Sequence, residues 1–433
     1  MTSTDRLRAL GLFDARVPRY TSYPTAAAFG PLVSVYLHIP FCERLCWFCA
    51  CQTQGTKTLS PVESYLETLQ AELNLLRAVL PRGVRMGRMH WGGGTPTILP
   101  PPLIHRLARA VKAVLPPAEG WEFSVEIDPT MVDRAKIAAL AAEGMNRASI
   151  GIQDFDPAVQ AAIGRDQPFE VTRACVEDLR DAGVGSLNTD LVYGLPHQTE
   201  ARLASTVDQV LRLAPDRVAL FGYAHVPWMS KRQKLIDAAA LPDELARYRL
   251  AELAAQAFRS AGLTGIGIDH FARPGDGLAH AAQTGRLRRN FQGYTDDTCP
   301  TLIGMGASSI SRFAGGYVQN AHATAAYAQR IGSGQLAGAR GHAMRAEDRL
   351  RARAIEMLMC DFLLDRPALA REFGAPATVL DPTILDVAQR FGDLVALSGE
   401  ALAILPEGRP LTRIIASAFD AHVPEGARYS QAS

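Results

Sequence analysis

Tyr36-Leu-His-Ile-Pro-Phe-Cys42-Glu-Arg-Leu-Cys46-Trp-Phe-Cys49-Ala-Cys51 gathers four of the chain's seven cysteines into ten positions, directly after an apolar run that starts at residue 33. Thiolates are favoured ligands for zinc, copper(I) and iron–sulfur clusters. Cys42, Cys46 and Cys49 follow a C-x3-C-x2-C spacing. A structural zinc site closes a tetrahedron with four ligands, usually as two separated pairs. No second cysteine pair and no His-x3-5-His follows in this chain. A cubane cluster needs only three cysteines and leaves one iron open to a small molecule. The spacing therefore favours an iron–sulfur cluster, with a zinc-binding module as the alternative.

The 433 residues suffice for two or three domains with substantial cores. Lys plus Arg is 45 and Asp plus Glu 44, so no global charge draws the chain to nucleic acid or a membrane surface. No run approaches the roughly 18 apolar residues of a membrane helix. Met1 to Tyr20 is rich in charge, with Asp5, Arg6, Arg8, Asp14, Arg16 and Arg19, so it is not expected to act as a secretory signal. A cytoplasmic protein is expected. An odd cysteine count, with four clustered, argues against a disulfide framework. The isolated Cys175, Cys299 and Cys360 read as small buried apolar residues.

From residue 33 strand-like and helix-like segments alternate. Strands are expected at 33–39, 85–91, 122–128, 147–153, 186–193 and 217–224, and helices at 61–80, 101–115, 131–142, 169–182 and 200–213. The first helix has Ser60-Pro61 at its start, read as a cap with Pro in the first turn, and apolar residues at Val62, Tyr65, Leu66, Leu69, Leu73 and Leu76. Such alternation implies parallel βαβ units with right-handed crossovers. Six units are too few for a closed eightfold barrel. The expected fold is α/β, a partial (β/α)6 barrel over residues 31–343. It is preceded by an extended arm (1–30) and followed by a mainly α-helical domain (344–433) with a possible wing between Leu394 and Leu405. In barrels of this type chemistry sits at the C-terminal ends of the strands, and the polar motifs fall there. Strand two runs into His90-Trp-Gly92-Gly93-Gly94-Thr95-Pro-Thr97, whose glycines permit close backbone approach. Strand three runs into Ser124-Val-Glu126-Ile-Asp128-Pro, where alternation turns Glu126 and Asp128 to one side. Gln153, Arg165 and Asp190 end or follow strands four and five, and Phe221-Gly-Tyr-Ala224-His225 ends strand six.

These motifs together resemble radical S-adenosylmethionine enzymes. Tyr36-x-His38-Ile-Pro-Phe-Cys42, the Phe48-Cys49-x-Cys51 ending, the arm Tyr20-Thr-Ser-Tyr-Pro24-Thr25 and Asn290-Phe291-Gln292-Gly-Tyr294 are similar to the oxygen-independent coproporphyrinogen III oxidases of haem biosynthesis. The resemblance spans residues 16 to 425. It departs at Ala50, where Gly is usual, at Trp47, and over Gln52–Lys57. It implies that Cys42, Cys46 and Cys49 hold a [4Fe–4S] cluster. Phe48, Gly93, Gly94, Thr95, Glu126, Gln153, Arg165, Asp190 and Ala224 are then S-adenosylmethionine contacts. Phe291, Gln292 and Ile310 would lie beside a second S-adenosylmethionine, and Tyr36 is a further cofactor contact. Tyr36, Cys51 and Glu126 are expected in catalysis. The Gly304-x-Gly306 segment lacks the third glycine and βαβ context of a dinucleotide fingerprint.

The activity so implied removes hydrogen from a propionate by a 5′-deoxyadenosyl radical, loses carbon dioxide and leaves a vinyl group, twice per coproporphyrinogen III. Arg286, Arg288 and Arg289 suit a substrate with four carboxylates. An electron donor such as a flavodoxin-like protein is needed, and a monomer is expected. The alternative within the superfamily is a haem chaperone without decarboxylase activity; it would ordinarily lack Cys51, the arm and the Asn290–Tyr294 motif.

Overall fold

The computed structural model describes residues 30–422. The Tyr20–Pro24 arm and the tail after Val423 lie outside them. Strands and helices alternate as β1 (Leu32–Ile39), α1 (Ser60–Val79), β2 (Arg85–Gly93), α2 (Pro101–Val114), β3 (Pro117–Ile127), α3 (Arg134–Ala142), β4 (Arg147–Gln153), α4 (Phe169–Asp181), β5 (Ser186–Tyr193), α5 (Glu200–Arg212) and β6 (Arg217–Gly222). Neighbours β1 to β6 pair in parallel in sequence order, so the six expected units are present. Ser60 lies inside α1. Its N-cap is Leu59, without a side-chain hydrogen bond, which corrects the expected cap; Pro in the first turn and the buried stripe Val62, Tyr65, Leu66, Leu69, Leu73 and Leu76 hold as read.

The sheet is wider than six strands. After α6 (Glu244–Ser260) come β7 (Thr264–Ile266), β8 (His270–Ala272), β9 (Thr301–Met305), β10 (Ile310–Phe313), β11 (Gly316–Asn320) and β12 (Gly338–Ala343). Among the described residues they complete a 12-stranded sheet in the order β12-β11-β10-β9-β1-β2-β3-β4-β5-β6-β8-β7. Strand β9 is a seventh parallel strand, beside β1. The Gly304–Ile310 segment thus builds sheet: a Cβ at Gly304 would lie 2.4 Å from the Ile310 carbonyl oxygen, so only glycine lets β10 fold back so closely.

Alternation along the central strands divides their faces. Val33, Val35, Leu37, Met89, Trp91, Phe123, Val125, Ala148, Ile150, Leu187, Leu191, Val218 and Leu220 point outward into one core shared with the helices. Ser34, Tyr36, Arg88, His90, Glu122, Ser124, Glu126, Arg147, Ser149, Asn188, Asp190 and Arg217 point inward and line a cavity of about 240 Å³. A polar inner wall is tolerable only when its groups are paired. At the N-terminal ends of the strands Arg88 meets Glu122 at 3.2 Å and Asp296 at 2.8 Å, Arg147 meets Glu122 at 3.4 Å, and Arg217 meets Asp276 at 2.5 Å. This ionic floor anchors the segment that follows Asn290–Tyr294.

A second core joins Leu350, Leu358, Leu380, Val387, Phe391, Leu402 and Phe419, with Tyr248 and Ile268 packed against it. It is built from α7 (Ala346–Asp361), shorter helices at Arg366–Phe373, Asp381–Phe391 and Thr412–Ser417, and a three-stranded sheet of Leu363–Asp365, Ala401–Ile404 and Val395–Leu397. The wing is therefore a three-stranded unit.

Candidate active site

The cysteine loop leaves β1 at Pro40 and is closed by a short parallel bridge, Phe41–Cys42 with Gln54–Gly55. Gln54 N donates to Pro40 O at 2.7 Å and Thr56 N to Cys42 O at 3.0 Å. Cys46 is buried, Cys42 and Cys49 are partly buried and Cys51 is exposed. The isolated Cys175, Cys299 and Cys360 are buried, as expected. Thr95 Oγ1 donates to Cys42 Sγ and Arg165 Nη1 to Cys46 Sγ, both at 3.5 Å. Burial pushes the Cys42 thiol up to about 11. The Cys49 thiol is drawn down to about 6, first by hydrogen bonding from Cys51. Three thiols on one loop, two of them met by polar donors, fit a thiolate-held cluster.

The triple glycine docks this loop. Gly94 N donates to Ile39 O and Thr95 N to Phe41 O, each at 2.8 Å. A Cβ on Gly94 would lie 2.5 Å from Phe41 O, and one on Gly92 would lie 2.6 Å from the Glu126 carboxylate. Close approach is therefore made in part to the chain itself. Gly93, at φ 111°, donates its N–H to Glu126 Oε2 at 3.0 Å.

Tyr36, Glu126, Asp190 and Gln292 line the same cavity. His38 Nε2 lies 2.9 Å from Gln52 O, which can only accept, so that nitrogen carries the proton. Nδ1, 3.0 Å away, then accepts from Tyr36 OH. Burial lowers the His38 pKa and raises that of Tyr36, which keeps His38 neutral and the phenol protonated. The Tyr36 ring stacks on His90 at 5.8 Å and takes the edge of Phe291 at 5.6 Å. His90 Nε2 stands 3.3 Å from Glu126 Oε1. Burial pushes Glu126 up, but the hydrogen bonds from His90 and Gly93 outweigh it, and the carboxyl is held below its usual range. Asp190 accepts from Ser149 at 2.9 Å and Asn188 at 2.8 Å, yet burial raises its pKa. Two carboxylates in one cavity are thus pushed apart.

Gln153 ends β4 at φ 70°, an uncommon backbone for a side-chain-bearing residue, and its amide would lie 3.0 Å from a Cβ on Gly151. Arg165 also donates to Gln167 Oε1 and Gly151 O, both at 2.8 Å, and pairs with Asp128 at 3.4 Å. Asp128 lies just past β3, where it accepts from Thr130 N, so the expected alternation stops at Ile127. Phe48 and Trp47 pack against Val159, Ile163 and Tyr223. Ala224 O accepts from Gln233 Nε2 at 3.0 Å, and His225 Nδ1 is 3.0 Å from Tyr223 OH. Ile310 begins β10, paired with Gln319. Arg288 lies 3.9 Å from Glu356, and Arg289 sits 5.0 Å over the Tyr294 ring.

His90 was the group the motif reading passed over, together with Ser149 and Asn188, which orient Asp190. A signal was present for Asn188, which shares the parity of Asp190 along β5; His90 on β2 and Ser149 on β4 share a strand with none of Tyr36, Glu126 and Asp190.

Residues 36–210 match the model of the radical SAM superfamily. A chain from Cereibacter sphaeroides named oxygen-independent coproporphyrinogen III oxidase is 61% identical, covering 100% of both chains. One of the same name from Paracoccus denitrificans is 54% identical over 98% of each. The solved coproporphyrinogen III oxidase of Escherichia coli, described as a radical SAM enzyme, superposes with a TM-score of 0.87 at 34% identity, over 98% of this chain and 94% of that one. The chain is thus a radical SAM enzyme, a class that uses a [4Fe–4S] cluster and S-adenosylmethionine. Within that class, the chain belongs to the oxygen-independent coproporphyrinogen III oxidase family. No helix among the described residues is long and apolar enough to cross a membrane.

Proposed function

We propose that this chain converts two propionate side chains of coproporphyrinogen III to vinyl groups, giving protoporphyrinogen IX without oxygen. The observation that carries the reading is full-length identity of 61% to a coproporphyrinogen III oxidase. When bound, the cluster and S-adenosylmethionine supply the radical that takes hydrogen from the propionate; the protein supplies position, exclusion of water and charge.

Cys42, Cys46 and Cys49 hold the cluster, steadied by the Thr95 and Arg165 donors. Phe48, Gly93, Gly94, Thr95, Gln153, Arg165, Asp190 and Ala224 hold one S-adenosylmethionine, Phe291, Gln292 and Ile310 adjoin a second, and Tyr36 is a further cofactor contact. Glu126, ionised, offers its carboxylate to the ribose hydroxyls or ammonium of the cofactor, while His90 and Gly93 fix its orientation. Cys51, exposed beside Cys49, acts on the substrate side. The C-terminal domain that begins at residue 344 acts as a cap. A flavodoxin-like donor, a monomeric state and a cytoplasmic location complete the reading. Anaerobic incubation with reductant, S-adenosylmethionine and coproporphyrinogen III tests it. Vinyl product is expected; cleavage of S-adenosylmethionine with no vinyl product refutes the substrate.

A further inference from the structure

The chain's own residues point to where the electron arrives. Trp228, Met229 and Leu235 are 50%, 65% and 60% exposed, three of the largest apolar exposures among the described residues, and they fall within eight positions. Exposed apolar side chains so grouped, rimmed by charge, mark interaction surfaces more often than chance placement does. Within Trp228–Leu235 the charged residues, Lys231, Arg232 and Lys234, are all basic, and exposed Asp237 follows two positions beyond. Lys231 and Lys234 are exposed on a 3-10 turn, Lys231–Leu235, and neither is in an ion pair among the described residues. The chain as a whole is nearly neutral, with 45 basic and 44 acidic residues, so this local charge is not a by-product of composition.

The underside of the same segment grips the cysteine loop. Ser230 Oγ donates to Cys49 O at 3.0 Å, and Gln233 Nε2 donates to Phe48 O at 2.7 Å. Arg232 Nη2 reaches Cys51 O at 3.2 Å and Thr53 Oγ1 at 2.8 Å. One hydrogen bond therefore separates the residue next to exposed Met229 from the backbone of a cluster cysteine.

We propose that Trp228–Leu235 is the docking face for an acidic one-electron carrier protein of the low-potential flavodoxin type. Apolar anchors with a basic rim suit such a partner, because charge steers the encounter and buried apolar contact holds it. The step balances simply: one electron leaves the reduced flavin and one enters the cluster, taking it from the 2+ to the 1+ level. The proposal rests on the reading that Cys42, Cys46 and Cys49 hold that cluster.

The test uses full-length, cluster-loaded protein and an acidic flavodoxin. In anaerobic titration with oxidised flavodoxin, saturable binding that weakens with added salt is expected. The double variant Lys231→Glu/Lys234→Glu should bind about tenfold more weakly or worse, and Trp228→Ala should lose affinity with less change in salt dependence. S-adenosylmethionine cleavage driven by reduced flavodoxin should fall in parallel, whereas cleavage driven by dithionite should stay at the wild-type rate. Unchanged flavodoxin binding in the charge-reversed variant overturns the proposal, as does equal loss of dithionite-driven cleavage. Failure of dithionite-driven cleavage in the unsubstituted protein would strike the reading of the cluster site instead, and the binding titration would still decide the docking face.

Discussion

Gly94→Ala is a small change with a calculable consequence. The added Cβ would lie 2.5 Å from Phe41 O, 2.8 Å from Phe41 N and 2.9 Å from Ile39 O. All three are backbone atoms of the junction that delivers Cys42, so no side-chain rotation relieves the contact. Ordinary van der Waals separation requires a shift of roughly an ångström, taken either by the tip of β2 or by the loop. Forcing a methyl group into a packed region costs about 1–3 kcal/mol. Part of that displacement falls on Cys42 and on its contact with Thr95. The variant should show a loss of stability of about 1–3 kcal/mol in anaerobic chemical denaturation. It should also hold clearly less iron after reconstitution and desalting. Gly185→Ala is the control, since nothing lies within 4 Å of its added Cβ. Wild-type stability and full iron in Gly94→Ala would show that the glycines do not dock the loop as described.

Glu126→Gln keeps the shape but opposes an amide NH2 to either the Gly93 N–H or His90. With a charge-assisted bond of about 1.5–3 kcal/mol removed, S-adenosylmethionine affinity in equilibrium dialysis should fall roughly ten- to a hundredfold, with cluster loading intact. Unchanged affinity contradicts the cofactor role. At the barrel floor, Arg217 and Asp276 are each 6% exposed. Arg217→Ala leaves a buried carboxylate unpaired and should cost about 3–5 kcal/mol in chemical denaturation, against a surface-like loss below about 1 kcal/mol if the floor is not structural. Glu143 is buried, which raises its pKa, but Lys112 and His105 hydrogen bonds, with Arg109, hold it down to about 2. A depressed carboxyl stabilises above its unfolded pKa, so this contribution is present above about pH 4.5 and is lost as pH falls through about 2. Screening at exposed Arg109 limits it to on the order of 2–3 kcal/mol. Glu143→Gln in cluster-free protein should lose that part of the acid dependence of stability, and an unaltered profile would show the pairing to be inert.

The six βα units were legible because each needs only local signals: an apolar run, an amphipathic helix, and polar residues where the strand stops. Glu126 and Asp190 could be found for the same reason. Strand β9 was not: Gly304 is explained only by the fold-back of β10, and Gly306, at φ 92°, by the close approach of Tyr65 and the His38 carbonyl. The ionic floor was equally hidden. Arg88, Glu122 and Arg217 lie on three parallel strands and Asp296 on the segment before β9, distant in sequence, and only the folded sheet brings them together. The glycine run was read for its openness toward a ligand, yet the space beside Gly92 and Gly94 is filled by Glu126 and by the loop. His90 was missed because no spacing marks one histidine; its parity with Arg88 on β2 does.

The central claim is that this cavity directs hydrogen abstraction at a propionate of coproporphyrinogen III. The carboxylate leaves from one carbon of the side chain, so the hydrogen must come from the other, the carbon next to the ring. Substrate deuterated at that carbon, incubated anaerobically with reductant and S-adenosylmethionine, tests the claim directly. Deuterium should appear in 5′-deoxyadenosine as the vinyl product forms; vinyl product accompanied by unlabelled 5′-deoxyadenosine would contradict it.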